Sequence, residues 1–271
     1  MSLRCGFVYV ATGEGYRREA LASAESLRAV LPGASVCLIT DEAPAGVTLF
    51  DTILVRTDVC RNPIDKVLAI DCPYDRAIFL DTDTHVCGDL AEMFDLLDRF
   101  DLALLQENHR GWDYTLPGVP SAFPEYNTGV IVFRCNAAVR GLFDQWRSAY
   151  AALRQTQNLR NDQPSFRQVV YHSDLRIATL PSEFHFLGNV PNYTMWTVRL
   201  IHARGDLPRI ARLANESLGA RAYVPAVGVI RTFQGRKAWL RSLLRVSWRM
   251  LKVLFRPPPD ASLLNPGRWW K

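Results

Sequence analysis

Two aspartates, Asp81 and Asp83, stand two apart at the end of the apolar run Arg76-Ala77-Ile78-Phe79-Leu80. In an extended chain that spacing turns both carboxylates to the same side. Carboxylates this close repel one another unless a cation lies between them, and hard oxygen ligands suit Mg²⁺ or Mn²⁺. Such an ion can bridge to a diphosphate and, as a Lewis acid, stabilise negative charge growing on it. The place is right for a ligand, since α/β sheets take theirs beyond the carboxyl ends of the strands.

Alone, Asp-x-Asp is a weak signal, because solvated aspartates are common in turns after strands. A calcium loop counted from Asp81 would find Glu92 at its twelfth position, but Val86 replaces the glycine needed at the sixth, and a strand, not a helix, precedes it. Phosphatases that work through an aspartyl phosphate also carry Asp-x-Asp after an apolar strand, usually their first. Here about 75 residues of strand and helix come before it.

Those residues form the frame. A strand at residues 7–11, a glycine turn at 12–15 and a helix at about 17–31 open the chain, and Pro32-Gly33 closes that helix. Strands at 35–40 and 52–55, a helix at 64–70, the motif strand at 76–80, a helix at 90–97 and a strand at 102–105 continue the alternation. A Gly- and Pro-rich loop at 111–124, a strand at 129–134, a helix at 137–155 and another to about 171 follow, then irregular aromatic segments to Leu200-Ile201-His202. Alternating strand and helix predicts a parallel sheet covered on both faces.

The 271 residues, 48% hydrophobic, suffice for one large domain or one domain with an appendage. Six scattered cysteines form no Cys-x-x-Cys pair, the opening apolar run is too short for a secretory signal, and no run of 18 apolar residues occurs. A cytoplasmic location without a membrane-spanning helix is therefore expected. The net charge of +5 is uneven: residues 231–271 hold ten Lys or Arg against Asp260, a net +9, leaving −4 for the rest. In that tail the basic residues at 237, 241, 245, 249, 252 and 256 share one helical face beside Trp, Leu and Phe, and Pro257-Pro258-Pro259 ends the helix. A basic amphipathic helix of this composition, residues 232–256, is expected to lie on an anionic membrane surface. Nucleic acid is not expected as a partner, since the body is acidic and carries no recognition module.

Several weak motifs occur in one order: Thr12 to Tyr16 after the first strand, Lys66 ahead of the motif strand, and Phe79 to Thr84. Tyr126-Asn127-Thr128-Gly129-Val130, Asp162-Gln163 and Ile201-His202-x-x-Gly205 complete the series. In this order they resemble the family-8 retaining glycosyltransferases of GT-A fold, which include glycogenin and bacterial lipooligosaccharide galactosyltransferases. The resemblance covers roughly residues 6 to 206. It implies a GT-A (Rossmann-like) nucleotide-diphosphate-sugar transferase domain over residues 1–230, with a mostly parallel central sheet and flanking helices; the charge pattern sets off the basic tail 231–271. It implies that Asp81, Asp83 and His202 ligate Mn²⁺ or Mg²⁺, the histidine favouring Mn²⁺. By the same resemblance Thr12 and Tyr16 contact the nucleobase and ribose, Thr82 belongs to the donor-binding set, and Gly205 offers a backbone donor to phosphate. Lys66 pairs with donor phosphate or sugar, Asn127 contacts the sugar, and Asp162 and Gln163 line its reacting face. The donor implied is a UDP-sugar, the acceptor a glycan, glycolipid or protein at the inner face of the membrane.

Two positions depart from the family. Pro208 stands where a lysine usually follows the histidine, with Arg209 next to it to supply the missing charge, and Gly13 stands where an asparagine often meets the base. Other readings of single residues stay open: Asn127-Thr128-Gly129 as a turn opening a strand, Asp162 as the N-cap of a helix with Pro164 in its first turn, and Lys66 as a solvated helix residue. His85, His109, His172 and His185 read as structural or surface groups. An aspartyl-phosphate-type phosphatase and a non-catalytic sugar-nucleotide or membrane binder are the rival functions.

Overall fold

The computed structural model describes residues 3–107, 114–225, 227–231 and 236–255. His109, the first part of the 111–124 loop, Arg256, the Pro257-Pro258-Pro259 helix stop, Arg268 and Lys271 lie outside the described residues. The chain divides into two compact units, residues 1–82 with 90–180 and residues 83–89 with 181–271.

In the first unit β1 (Cys5–Ala11) leads into α1 (Glu14–Val30), followed by β2 (Val36–Thr40), β3 (Thr52–Val55) and β4 (Arg76–Leu80). β5 (Thr84–Val86) belongs to the second unit, and β6 (Leu102–Gln106), β7 (Tyr126–Arg134), α2 (Ala137–Gln157), α3 (Gln163–Tyr171) and β8 (Ile177–Thr179) return to the first. The strands form one seven-stranded sheet in the order β3-β2-β1-β4-β7-β6-β8. All share one direction except β7, which runs antiparallel to both β4 and β6. The sheet is thus mostly parallel, as expected, with one reversed strand. The described part of the β6–β7 connection, residues 114–125, carries turns and no helix, and adjacent strands joined without a crossover run antiparallel.

Three local expectations also shift. α1 begins at Glu14, so Tyr16 lies in its first turn instead of the preceding loop; Gly13, with φ +93°, supplies the bend before it. The helices at Pro63–Asp71 and Ala91–Asp98 are tight 3₁₀ helices, a form used for short connectors. β7 starts at Tyr126, so Asn127 and Thr128 are strand residues and not a turn.

The central strands are apolar on both faces because helices cover them; Val8, Ala77, Phe79, Ile131 and Phe133 are among the fully enclosed residues. Gly6 is required at the start of β1, since a Cβ there would run into the Tyr74 ring. α2 starts on Asn136, whose side chain accepts from Val139 N at 3.0 Å, and packs Phe143 and Trp146 inward. Trp146 lies against Phe166 of α3, and its indole N–H donates to Asp162 O and Ser165 Oγ at 3.2 and 3.1 Å. Core packing thereby fixes the backbone that presents Asp162.

The second unit holds two three-stranded sheets. β11 (Leu200–His202) lies between antiparallel β5 and parallel β9 (Phe186–Leu187). β12 (Arg221–Val224) lies between β10 (Asn192–Thr194) and β13 (Gly228–Arg231), all antiparallel. Strands of two to four residues are too short to print an alternating pattern on a sequence, which is why this region reads as irregular. α4 (Leu207–Ala214) starts at Asp206, whose side chain caps Arg209 N at 3.0 Å, and Pro208 suits that first turn. In α5 (Arg236–Phe255) Val246 is buried while Arg245 and Arg249 pair with Glu216 at 2.9 and 2.8 Å. No described helix is long and apolar enough to cross a membrane.

Candidate donor and metal site

β4 carries the chain to Asp81, whose N–H donates to Gly129 O at 2.8 Å and so ties the motif to β7. Opposite, the β6–β7 register jumps between Leu104 and Leu105, so that residues 128–130 of β7 bulge from the ladder. That bulge supports the polar cluster of the first unit. Lys66 Nζ, on the 63–71 helix, reaches Asp81 Oδ2 at 3.2 Å, Asp162 Oδ2 at 3.4 Å, and Thr128 O and Oγ1 at 3.4 and 3.3 Å. Burial alone would lower its pKa, but Asp162 and Asp81 outweigh burial and hold it above the ordinary lysine value. It is a buried cation between two acids, not a solvated helix residue.

Asp162 precedes α3 without capping it: Thr128 Oγ1 donates to Asp162 Oδ2 at 2.7 Å, while Asn161 Oδ1 accepts from Gln163 N at 2.9 Å. The capping reading is corrected, because the carboxylate is committed to Lys66 and Thr128. Asn127 Oδ1 accepts from Gly129 N at 2.9 Å and its amide donates to Glu107 at 2.7 Å. Gln163 Nε2 donates at 3.3 Å to both Glu107 and Glu125. Burial, aided by neighbouring Glu107, raises Glu125 to about 7.

The second unit carries a polar cluster of its own. β5 and β11 pair with His202 opposite Thr84, and Ala203 N donates to Asp83 O at 3.1 Å. His202 Nε2 lies 3.3 Å from Asp83 Oδ1, Arg204 Nε lies 2.9 Å from Asp83 Oδ2, and His202 Nδ1 lies 3.0 Å from His185 Nε2. Burial would raise the Asp83 pKa, yet His202 and Arg204 hold it below the usual carboxylate range. Gly205, with φ +101°, makes the bend between β11 and α4.

Asp81, Asp83 and His202 thus each offer one ligand atom, and those atoms lie within 4.8 Å of one another. Ligand atoms this close together could hold one cation. Two carboxylates and an imidazole form a suitable donor set for Mn²⁺ or Mg²⁺.

Solved structures of similar architecture carry one theme. An active-site mutant of LgtC gives a TM-score of 0.52 at 14% identity, covering 74% of this chain and 88% of that one. The galactosyltransferase LgtC in complex with donor and acceptor sugar analogues also gives 0.52, at 12% identity, covering 90% and 95%. The fold is that of GT-A glycosyltransferases. GlyE, a glycosyltransferase of Streptococcus pneumoniae, shares it at a TM-score of 0.52 and 14% identity, over 94% of this chain and 64% of GlyE. No family model and no curated protein matches the sequence.

In this GT-A frame the other sequence-derived positions are spread around the polar clusters. Thr12 is buried and donates to Asp65 at 3.0 Å; Tyr16 is exposed, its ring open to solvent; Thr82 donates to Glu19 at 2.8 Å. Gly13 N donates to Asp41, which Arg17 also meets at 2.6 Å. Sequence reasoning did not find Glu107, Glu125 or Arg204; His185, read as a structural or surface group, is wholly buried and bonds to His202. Arg204 had a faint signal, being two residues beyond His202 and so on the same side of an extended chain. The others come together only through non-local pairing.

Proposed function

We propose that the chain is a metal-dependent glycosyltransferase that moves a hexose from a UDP-sugar to a glycan, glycolipid or protein acceptor, with retention at the anomeric carbon. The observation that carries this reading is the convergence of Asp81, Asp83 and His202, on a fold used by glycosyltransferases. Asp81, Asp83 and His202 would hold Mn²⁺, or Mg²⁺, which when bound supplies Lewis-acid stabilisation of the leaving diphosphate.

The chain's own groups do the rest. Lys66 keeps its proton and places a fixed positive charge beside Asp81 and Asp162. Asp162, held by Thr128 and Lys66, and Gln163, held by Glu107 and Glu125, orient the reacting sugar, and Asn127 contributes an amide. Tyr16 offers a stacking surface to the base, and the bend at Gly205 turns backbone towards the phosphates. Arg204, beside Asp83, is better placed than Arg209 to supply the charge that the family usually carries on the lysine replaced here by Pro208.

The membrane reading is supported by α5, where Leu240, Leu244, Trp248, Leu251 and Phe255 form an exposed stripe beside exposed Arg241, Arg245 and Lys252. The tail would hold the enzyme on the inner face of an anionic membrane.

Calorimetry with UDP and Mn²⁺ tests the site: Asp83→Ala should abolish metal-dependent UDP binding, and undiminished affinity removes Asp83 from the metal shell. Donor hydrolysis or transfer across a panel of UDP-, GDP- and dTDP-sugars separates an enzyme from a silent binder. Hydrolysis of p-nitrophenyl phosphate with Mg²⁺ and no response to UDP would favour the phosphatase. Deletion of residues 232–271 should release the protein from anionic liposomes; continued co-sedimentation excludes the tail as anchor.

A further inference from the structure

An imidazole has two ring nitrogens, and in His202 they face different neighbours. Nε2 stands 3.3 Å from Asp83 Oδ1, on the side of the paired aspartates, while Nδ1 stands 3.0 Å from Nε2 of His185. A ligand nitrogen must offer its lone pair, so a neutral His202 that ligates through Nε2 carries its proton on Nδ1. The direction of the bond between the two rings follows. His202 Nδ1–H donates, His185 Nε2 accepts, and His185 keeps its own proton on Nδ1.

We propose that His185 is a positioning residue that locks His202 in the metal-ligating tautomer and ring orientation. The inference rests on the proposed metal role of Asp81, Asp83 and His202. His185 is completely buried, and its ring stacks on that of His202 with centroids 5.2 Å apart at 30°. The backbone enforces the arrangement. Phe186, the next residue, pairs with Ile201 in the parallel ladder, and Gly188 N donates to His202 O at 3.0 Å, so both rings are carried by hydrogen-bonded neighbouring strands. Neither ring can turn without breaking the bond between them. A second group that orients a ligating histidine in this way typically contributes about 10- to 100-fold in metal affinity.

The experiment compares His185→Leu, which removes the acceptor, with His185→Gln, whose side-chain oxygen can take the place of Nε2. Mn²⁺ affinity is measured by calorimetry on the full chain, and folding by circular dichroism and thermal melting. Expected are a loss of about 10- to 100-fold in the leucine variant and recovery of most of it in the glutamine variant. A folded leucine variant with unchanged affinity overturns the inference while leaving the metal site standing; absence of Mn²⁺ binding by the unaltered protein overturns both. Should the leucine variant not fold, long-range ¹⁵N–¹H NMR of both histidines in the unaltered protein with Mg²⁺ bound decides. A protonated His202 Nδ1 facing an unprotonated His185 Nε2 is expected, and a protonated His185 Nε2 refutes the lock.

Discussion

Glu125 gives the sharpest thermodynamic prediction, because its sign is opposite to that of most acids in folded proteins. Its carboxyl is 3% exposed and shares the Gln163 amide with Glu107, and burial with that neighbour lifts it from the ordinary 4.5 to about 7. Below pH 4.5 the group is protonated folded or unfolded, and it does not affect stability. Between 4.5 and about 7 the unfolded chain releases the proton while the folded chain keeps it, so stability falls as pH rises. Above 7 the full penalty applies: a rise of roughly 2.5 pH units at 1.36 kcal/mol each is about 3 kcal/mol. Glu125→Gln removes the charge and keeps an oxygen for Gln163, so it should stabilise the protein by about 3 kcal/mol at pH 8 and only about 1 kcal/mol at pH 5. Urea unfolding followed by tryptophan fluorescence at the two pH values measures both. An equal effect at pH 5 and pH 8, or destabilisation at pH 8, refutes the reasoning.

Lys66→Met should destabilise the protein by about 3 kcal/mol, since it leaves Asp81 and Asp162 without their shared cation; denaturation that is unaltered at neutral pH would contradict this. Gly6→Ala should cost about 1–3 kcal/mol by forcing a methyl into the Tyr74 ring. Combining it with Tyr74→Leu should return part of the loss, and strict additivity of the two changes in the same assay would contradict the clash.

What could be read from the sequence was what is local. The Asp-x-Asp motif announces itself because a buried central strand is a continuous apolar run and its end is marked by charge. Lys66, Asn127, Asp162 and His202 carry no local signal of comparable weight; they stood out only as parts of a series in fixed order. The reversal of β7 was hidden because a strand buried on both faces looks the same in either direction. Glu107, Glu125 and His185 were invisible for a related reason. Their partners lie between 17 and 56 residues away, and nothing in a single sequence reports which short strands will pair. The capping reading of Asp162 was sound chemistry applied to the wrong neighbour, since Asn161 makes the local bond and frees Asp162 for Lys66.

The two aspartates of the motif keep different company, and this bears on how a ligand would enter. Asp81 has the ammonium of Lys66 at 3.2 Å; Asp83 has the guanidinium of Arg204 at 2.9 Å. On the proposed reading, a divalent ion arriving alone meets carboxylates that are already compensated and must share them with two protein cations. A nucleotide diphosphate changes the balance, because its own negative charge offers Lys66 and Arg204 a new partner as the aspartates turn to the metal. Metal and nucleotide should therefore bind as a pair, each tightening the other by the same factor, as linkage requires. Calorimetry in both orders measures it: Mn²⁺ into protein with and without UDP, then UDP with and without Mn²⁺. Strong Mn²⁺ binding that UDP leaves unchanged would mean that the two resident cations do not compete for the aspartates, and that the ionic contacts of the ligand-free site say little about its loaded state.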